Sequence, residues 1–349
     1  MGLPNILIEF KTKASTAIKR GERGIVAVIV IDTPLGISKL ENITDIPEGL
    51  TEDNKNYIQR AFLGGVNPVK SVLLIVTDTI SNGLATLESQ KFDYVVGSHD
   101  ISSEDSTALA TFIKGLRDNK GIKVKAVLPN TRADHEGVIN FTTDNIVVGE
   151  TTFTAAEYCS RIASLLVGTP LTESATFKIL SEVDDVPKFT KAELDAKINN
   201  GEFCIFHDGE KVKVARGINS LTTIGSSKSE DMKFVKIIDI MDIIYTDVKR
   251  TCEDKYIGKY PNNYDNKCNL IVAIQGYFES LRNEELLDEN ILTEIDIEAQ
   301  TSYLKSRGVE TDNMKQLEIK KANTGTSVFI KSNYKILNAI EDIGVKFYI

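Results

Sequence analysis

Seven consecutive apolar residues, I-V-A-V-I-V-I at Ile25–Ile31, constrain this chain more than any other feature. A strand with one wet face alternates polar and apolar positions, so a strand without a polar position must be covered on both faces. Strands of that kind belong to parallel sheets, whose connections run through helices packed on either side. The following sequence keeps that rhythm. A second buried strand is expected at 71–76, a helix near 84–90, and strands at 92–96, at 123–128 (closed by Pro129) and at Ile146–Val148. The strands therefore alternate with helices at a spacing that predicts an α/β body with a mainly parallel sheet.

Helix signals support the same reading. Thr51 is placed to cap a helix over 51–63, with Tyr57, Ile58, Ala61 and Phe62 on its apolar side and Gly64-Gly65 as the stop. Ser103 caps the next, whose Leu109, Phe112, Ile113 and Leu116 share a face. Thr154 opens a helix carrying Ala155, Ile162, Leu165, Leu166 and Val167, closed by Gly168. Thr190 and Glu193 form a capping-box pair for a helix that ends at Asn200-Gly201.

A hairpin over 203–215, turning at Asp208-Gly209, leads into V-A-R-G-I-N-S-L-T-T-I at 214–224. There Gly217 has conformational freedom denied to other residues, and Asn219, Ser220, Thr222 and Thr223 can bond neighbouring backbone. The stretch reads as an ordered polar connector between buried elements. Beyond it the character changes to α+β. A strand is expected at 233–238, long helices at 239–256 and 269–282, and shorter ones at 299–306 and 314–322. Strands follow at 328–331 and 345–349. In the first twenty residues Ile6, Ile8 and Phe10 alternate with other residues as in a strand. A lone strand needs a sheet to join, either in its own domain or in a neighbouring molecule.

Composition excludes several function classes. A net charge of −9 argues against a nucleic-acid binder, and no apolar run approaches the ~20 residues of a membrane span. The N-terminal stretch lacks a charged-then-apolar secretion signal, so synthesis and folding in the cytoplasm are expected. Cys159, Cys204, Cys252 and Cys268 show no C-x-x-C spacing and read as small apolar side chains. His99-Asp100 beside Ser102 and Ser103 lies where a strand meets a helix cap, and adjacent residues seldom converge on one centre. His135-Glu136 lacks further ligands at a metal spacing. Gly64-Gly65 and Gly168-Thr169-Pro170 do not continue into a phosphate-loop pattern. Asp184-Asp185 and Glu284-Glu285 read as solvated charge. No catalytic, cofactor-binding or metal residue is assigned, and no cofactor is expected. Lys305, Arg307, Lys315, Lys320 and Lys321 form either a solvated face or a contact with an acidic partner.

Five stretches in order carry a resemblance. A-R-G-I-N-S-L-T-T at 215–223 resembles the R-G-I/V-N-T/S-L-T-T signature of phage contractile tail sheath proteins. The others are A-S-L-L-V-G-T-P-L-T-E-S at 163–174, I-G-K-Y-P-N-N at 257–263, A-N-T-G-T-S-V-F at 322–329 and N-A-I-E-D-I at 338–343. The segment 72–76 runs almost directly into 84–96, without the β-sandwich that many such proteins insert. The chain thus resembles a minimal sheath of a Gram-positive myophage or an R-type bacteriocin.

The resemblance implies a non-enzymatic homopolymer, a six-start helix of hexameric rings around a tail tube. Its contraction would drive the tube through a target envelope for genome ejection or killing. The implied partners are other copies, the tail tube protein, and baseplate and tail terminator proteins, with no nucleic acid or membrane. The place of action would be a virion tail or bacteriocin particle assembled in the bacterial cytoplasm. The implied organisation is an N-terminal arm over 1–20, a body over 21–220, an α+β C-terminal domain over 221–327 and a C-terminal strand or arm over 328–349. Ile6, Ile8 and Phe10 at one end, and Phe347, Tyr348 and Ile349 at the other, would add as strands to neighbours' sheets. Residues 12–23 would act as the hinge. The basic residues between 305 and 321 would face the tube. The competing reading is a cytoplasmic α/β enzyme or nucleotide-binding protein. A type VI secretion sheath is a third possibility, disfavoured because those sheaths usually split over two chains.

Overall fold

The apolar run Ile25–Ile31 is β1, an interior strand of a seven-stranded sheet. A computed structural model describes residues 18–21, 23–226 and 228–348. The arm residues Ile6, Ile8, Phe10 and Ile349 lie outside this description. The elements that follow β1 are β2 (Gly36–Leu40), α1 (Glu52–Ala61), β3 (Ser71–Thr77), α2 (Ile80–Leu87), β4 (Tyr94–Val96) and α3 (Ser103–Asp118). Next come β5 (Lys125–Pro129), β6 (Val138–Phe141), β7 (Ile146–Val148), β8 (Thr151–Phe153), α4 (Ala155–Val167), α5 (Lys191–Asn199) and β9 (Glu202–Phe203).

The sheet order is β2-β3-β1-β4-β5-β6-β9. All neighbours pair in parallel except β2, which runs antiparallel to β3 on one edge. Alternate β1 residues explain the unbroken apolar run. Val26, Val28 and Val30 enter a core with Tyr57, Ile58 and Ala61 of α1 and Tyr158, Ile162 and Leu166 of α4. Ala27 and Ile29 enter the opposite core with Leu84 and Leu87 of α2 and Leu109, Ile113 and Leu116 of α3. Both faces are covered, as the run demands.

Several local expectations change. Ser102 caps α3 in place of Ser103, its Oγ accepting the Asp105 N–H at 3.0 Å. Thr51 sits at the N-cap of α1, but its hydroxyl donates to Asp32. The capping box at Thr190 forms as expected, and Thr154, expected to open its helix, does so with a capping box to Glu157. The hairpin over 203–215 divides between two sheets. Phe203 belongs to β9, whereas β10 (Ile205–His207) and β11 (Val212–Val214) form a separate ribbon. The ribbon turns over 208–211, with Asp208 Oδ1 accepting the Glu210 and Lys211 N–H groups.

The expected strand at 233–238 is instead the start of helix α6 (Val235–Thr251). Its Lys236, Asp239 and Asp242 are buried among apolar neighbours, and this hid the helical period. A π-helical turn, Cys252–Tyr256, completes the region predicted as helix. The helix expected at 269–282 is α7 (Tyr264–Asn283), started by an Asn263 cap. Then follow β12 (Leu292–Ile295), α8 (Ile297–Ser306), α9 (Gln316–Lys321) and β13 (Ile330–Asn333). No strand forms over 345–348.

By compactness the chain divides into two units. Among the described residues, one holds 21–246 with 338–348, and the other holds 18–20 with 247–337. The sequence reading divides the chain at 220/221, whereas this division falls inside α6. In the second unit α7 buries Ala273, Ile274, Tyr277, Phe278 and Leu281. Phe278 packs on Tyr334 with ring centroids 4.8 Å apart, and the Tyr277 hydroxyl donates to Asp247 at 2.9 Å.

Candidate functional site

No catalytic arrangement emerges from the residues singled out in the sequence. His99 packs edge-on against Tyr57, and Ser102 is committed to its helix cap. Asp118, His135 and Glu136 do converge closely enough to suggest a cation. Glu136, however, accepts from Lys228 at 2.8 Å and lies 4.0 Å from Arg117. Burial pushes its carboxyl up, but the bond from Lys228, a backbone bond and the neighbouring His135 outweigh that and hold it below the ordinary value. Burial also depresses His135, whose Nδ1 accepts the Gly137 N–H. Gly65 and Gly168 are helix-end glycines in close apposition: a Cβ on Gly168 would come within 2.3 Å of the Gly65 nitrogen. They leave no phosphate cradle.

The buried charges of α6 have a structural use. Asp239 receives Arg23 at 2.5 Å, Lys125 at 3.0 Å and the Tyr94 hydroxyl at 3.0 Å. Asp242 receives two bonds from Arg117, at 2.8 and 2.9 Å, and Lys125 at 2.5 Å. Burial raises the Asp242 pKa, but the Lys125 and Arg117 charges outweigh it and hold the carboxyl below its ordinary value. The first turns of α6 are thereby locked to β4, β5 and α3. Arg23 also donates to the carbonyls of Leu166 and Thr169, so the expected hinge over 12–23 does not include it. Residues 12–17 and 22 of that hinge lie outside the described residues.

The connector at 214–224 works by reaching distant backbone as well as its own neighbours. Asn219 bonds the Met232 carbonyl and the Leu221 N–H, while Ser220 donates to the His135 carbonyl. Asp134 accepts the N–H groups of Thr222 and Thr223, which lower its pKa. Gly217 does not adopt a left-handed conformation. It is favoured by close approach: a Cβ would lie 3.0 Å from Ser174 Oγ and 3.2 Å from the Thr176 nitrogen, tight enough that these neighbours would have to give way slightly. Arg216 faces the C-terminal segment, with Nε donating to Glu341 at 2.8 Å and Nη2 to Asp342 at 2.5 Å. A second link joins two other signature stretches. Asn262 Nδ2 donates to the carbonyls of Gly325 and Ser327 at 2.8 and 2.9 Å.

Two features offer themselves to other molecules. First, β12 and β13 form an antiparallel ribbon with Leu292 opposite Asn333 and Ile295 opposite Ile330. No third strand joins it among the described residues. Second, the C-terminal segment exposes Ile340, Ile343, Val345, Phe347 (87%) and Tyr348 (91%). A run of exposed large apolar side chains is an interaction signal, unlike single exposed leucines.

The basic candidates fall on α8, α9 and their flanks. Lys305 pairs with Asp312 at 2.7 Å, and Lys320 lies 4.0 Å from Glu294. Arg307 stacks over Tyr303 and Lys321 over Tyr264. Lys315 stands at the N-cap of α9. Gln300 connects the two helices through the carbonyls of Ile319 and Lys320. The sequence reading missed β12 altogether, since L-T-E-I is short and half polar; its Thr293 opposite Ser332 is ordinary for an edge ribbon.

A mainly parallel α/β sheet with a further α+β unit is the architecture on which the signature stretches are ordered, and it is the fold of tail sheath proteins. Residues 75–220 match the family model of the phage tail sheath protein central domain, and 227–349 that of the phage tail sheath C-terminal domain. The chain belongs to the phage tail sheath protein family. It is 41% identical over 353 residues to the tail sheath protein of Clostridium phage phiCD119, covering 99% of each chain. Its fold is similar to the sheath tail protein of Desulfitobacterium hafniense (TM-score 0.71, 19% identity, covering 84% of this chain and 94% of that one). It is also similar to the helical sheath of the anti-feeding prophage in its contracted state (TM-score 0.71, 14% identity, covering 100% and 99%).

Proposed function

We propose that this structural sheath protein polymerises as a six-start helix of hexameric rings around a rigid tail tube. Contraction of the polymer then drives the tube through a target envelope. The observation that carries this reading is the pairing of an open two-stranded ribbon, β12–β13, with an exposed apolar C-terminal segment in the same chain. Each lacks what the other supplies. A neighbour's segment containing Phe347, Tyr348 and Ile349 adds to the ribbon as a further strand, and the strand of Ile6, Ile8 and Phe10 does the same from another neighbour. Main-chain bonds contribute about 0.5–1.5 kcal/mol each. A few per arm keep the subunits joined while their bodies rotate into a larger, better packed contact. The energy is stored at assembly, so no nucleotide is consumed.

In this reading the tube is met by α8 and α9. Lys305 and Lys320 already have carboxylate partners within the subunit, so Arg307, Lys315 and Lys321 carry more of the contact. Tail tube, baseplate and tail terminator proteins complete the particle, a phage tail or R-type bacteriocin assembled in the host cytoplasm. The test is electron microscopy of the purified full-length chain in negative stain. Hollow cylinders or cogwheel rings are expected, and deletion of residues 343–349 leaves a folded monomer. A persistent monomer that copurifies with a cofactor would contradict the reading.

A further inference from the structure

The signature residue Arg216 has no role in the assembly described so far, yet its surroundings are built with care. The Glu341 carboxylate lies in a cradle of three donors. Ser174 Oγ and Thr176 Oγ1 each donate to Oε1 at 2.7 Å, and Arg216 Nε donates to Oε2 at 2.8 Å. The Glu341 side chain is only 6% exposed, although Asp342, which takes the other arm of the guanidinium, is 86% exposed. The cradle is itself fixed. Thr176 Oγ1 accepts the Gly217 N–H at 2.8 Å, a Cβ at Gly217 would crowd Ser174 Oγ at 3.0 Å, and Arg216 stacks over Phe234. Residues 177–180 are tied to β11 by three backbone hydrogen bonds: the N–H groups of Phe177 and Leu180 reach the carbonyls of Val214 and Val212, and the Val214 N–H reaches that of Lys178, which sets Ile179 opposite Lys213. Phe177 is held there at φ +58°, a left-handed conformation rare for a bulky residue and a mark of a constrained site.

From Asp342 to Tyr348 every residue is exposed. Ile343, Val345 and Phe347 occupy alternate positions and are exposed. Among the described residues Glu341 is the last side chain held out of solvent, and the side chains offered to another molecule follow it. We infer that Arg216 is a positioning residue for assembly: with Ser174 and Thr176 it clasps Glu341 and Asp342 and sets the point from which residues 343–349 leave the body. This rests on the reading of 343–349 as a strand given to a neighbouring copy. A fixed origin confines the strand to a small volume, which raises its effective concentration at a neighbour's ribbon. It also delivers tension on the strand to the β10–β11 ribbon and the signature connector.

A glutamate-specific endoprotease reads the clasp directly, because it must take the Glu341 side chain into its own pocket. In the unassembled full-length chain, loss of residues 342–349 is followed by intact mass. Losing charge-assisted bonds of this kind speeds that cleavage about tenfold in Arg216→Gln, with Arg216→Lys intermediate. Ser174→Ala shifts the rate in the same direction and serves if the arginine variant fails to fold. Arg216→Gln is further expected to give sparse or irregular polymer in the microscope. Unchanged cleavage in both variants would overturn the clasp. Faster cleavage with normal polymer would overturn its positioning role. If truncation at 343 leaves polymer intact, the strand-donation reading itself fails, separately from the clasp.

Discussion

Asp239 and Asp242 each accept two cations in a buried setting, and removing one partner there leaves the others uncompensated. Asp242→Asn is expected to destabilise the α/β unit by about 3–5 kcal/mol near pH 7. The pH dependence has a fixed sign. The folded Asp242 pKa lies below the ordinary 3.8, so its contribution is present above 3.8 and lost as pH falls through the folded value. Urea denaturation of both proteins from pH 7 towards pH 3 should show the penalty shrinking below about pH 4. A constant penalty would show that the charge of Asp242 does not matter. None of this was legible in the sequence, because D-I-M-D within an apolar run looks like an interruption until the partners Arg117 and Lys125, over a hundred residues away, are in place.

At the scale of elements, legibility followed burial. β1 and β3 are covered on both faces and announced themselves as unbroken apolar runs. β2, G-I-S-K-L, is a half-exposed edge strand, and β6, V-I-N-F, carries the buried Asn140, so neither shows a clean period. The 345–349 stretch reads as a strand because it wants a partner, and a single subunit supplies none to its described residues. Helix α9 poses a test of its own. Reversing Lys320 and Lys321 to Glu is expected to lower cosedimentation of the subunit with purified tail tubes by about tenfold, since several exposed pairs of about 0–1 kcal/mol are lost and replaced by repulsion. Undiminished binding would remove α9 from the tube contact.

For the molecule as a whole, the five signature stretches fall into two knots. Ser174 and Gly217 meet the N-A-I-E-D-I stretch through Glu341 and Thr176, and Asn262 meets the A-N-T-G-T-S-V-F stretch at Gly325 and Ser327. The signatures were readable one by one, but their pairing was not, since sequence order says nothing about which loops touch. Each knot fixes backbone near a place where another molecule is expected to attach. The strand given between copies is the contact on which assembly depends. A three-dimensional reconstruction of the assembled polymer measures it most directly. The ribbon β12–β13 of one subunit is expected to be extended by a strand traced to residues 343–349 of a neighbour. A ribbon left two-stranded, with that segment folded back on its own subunit, would contradict it.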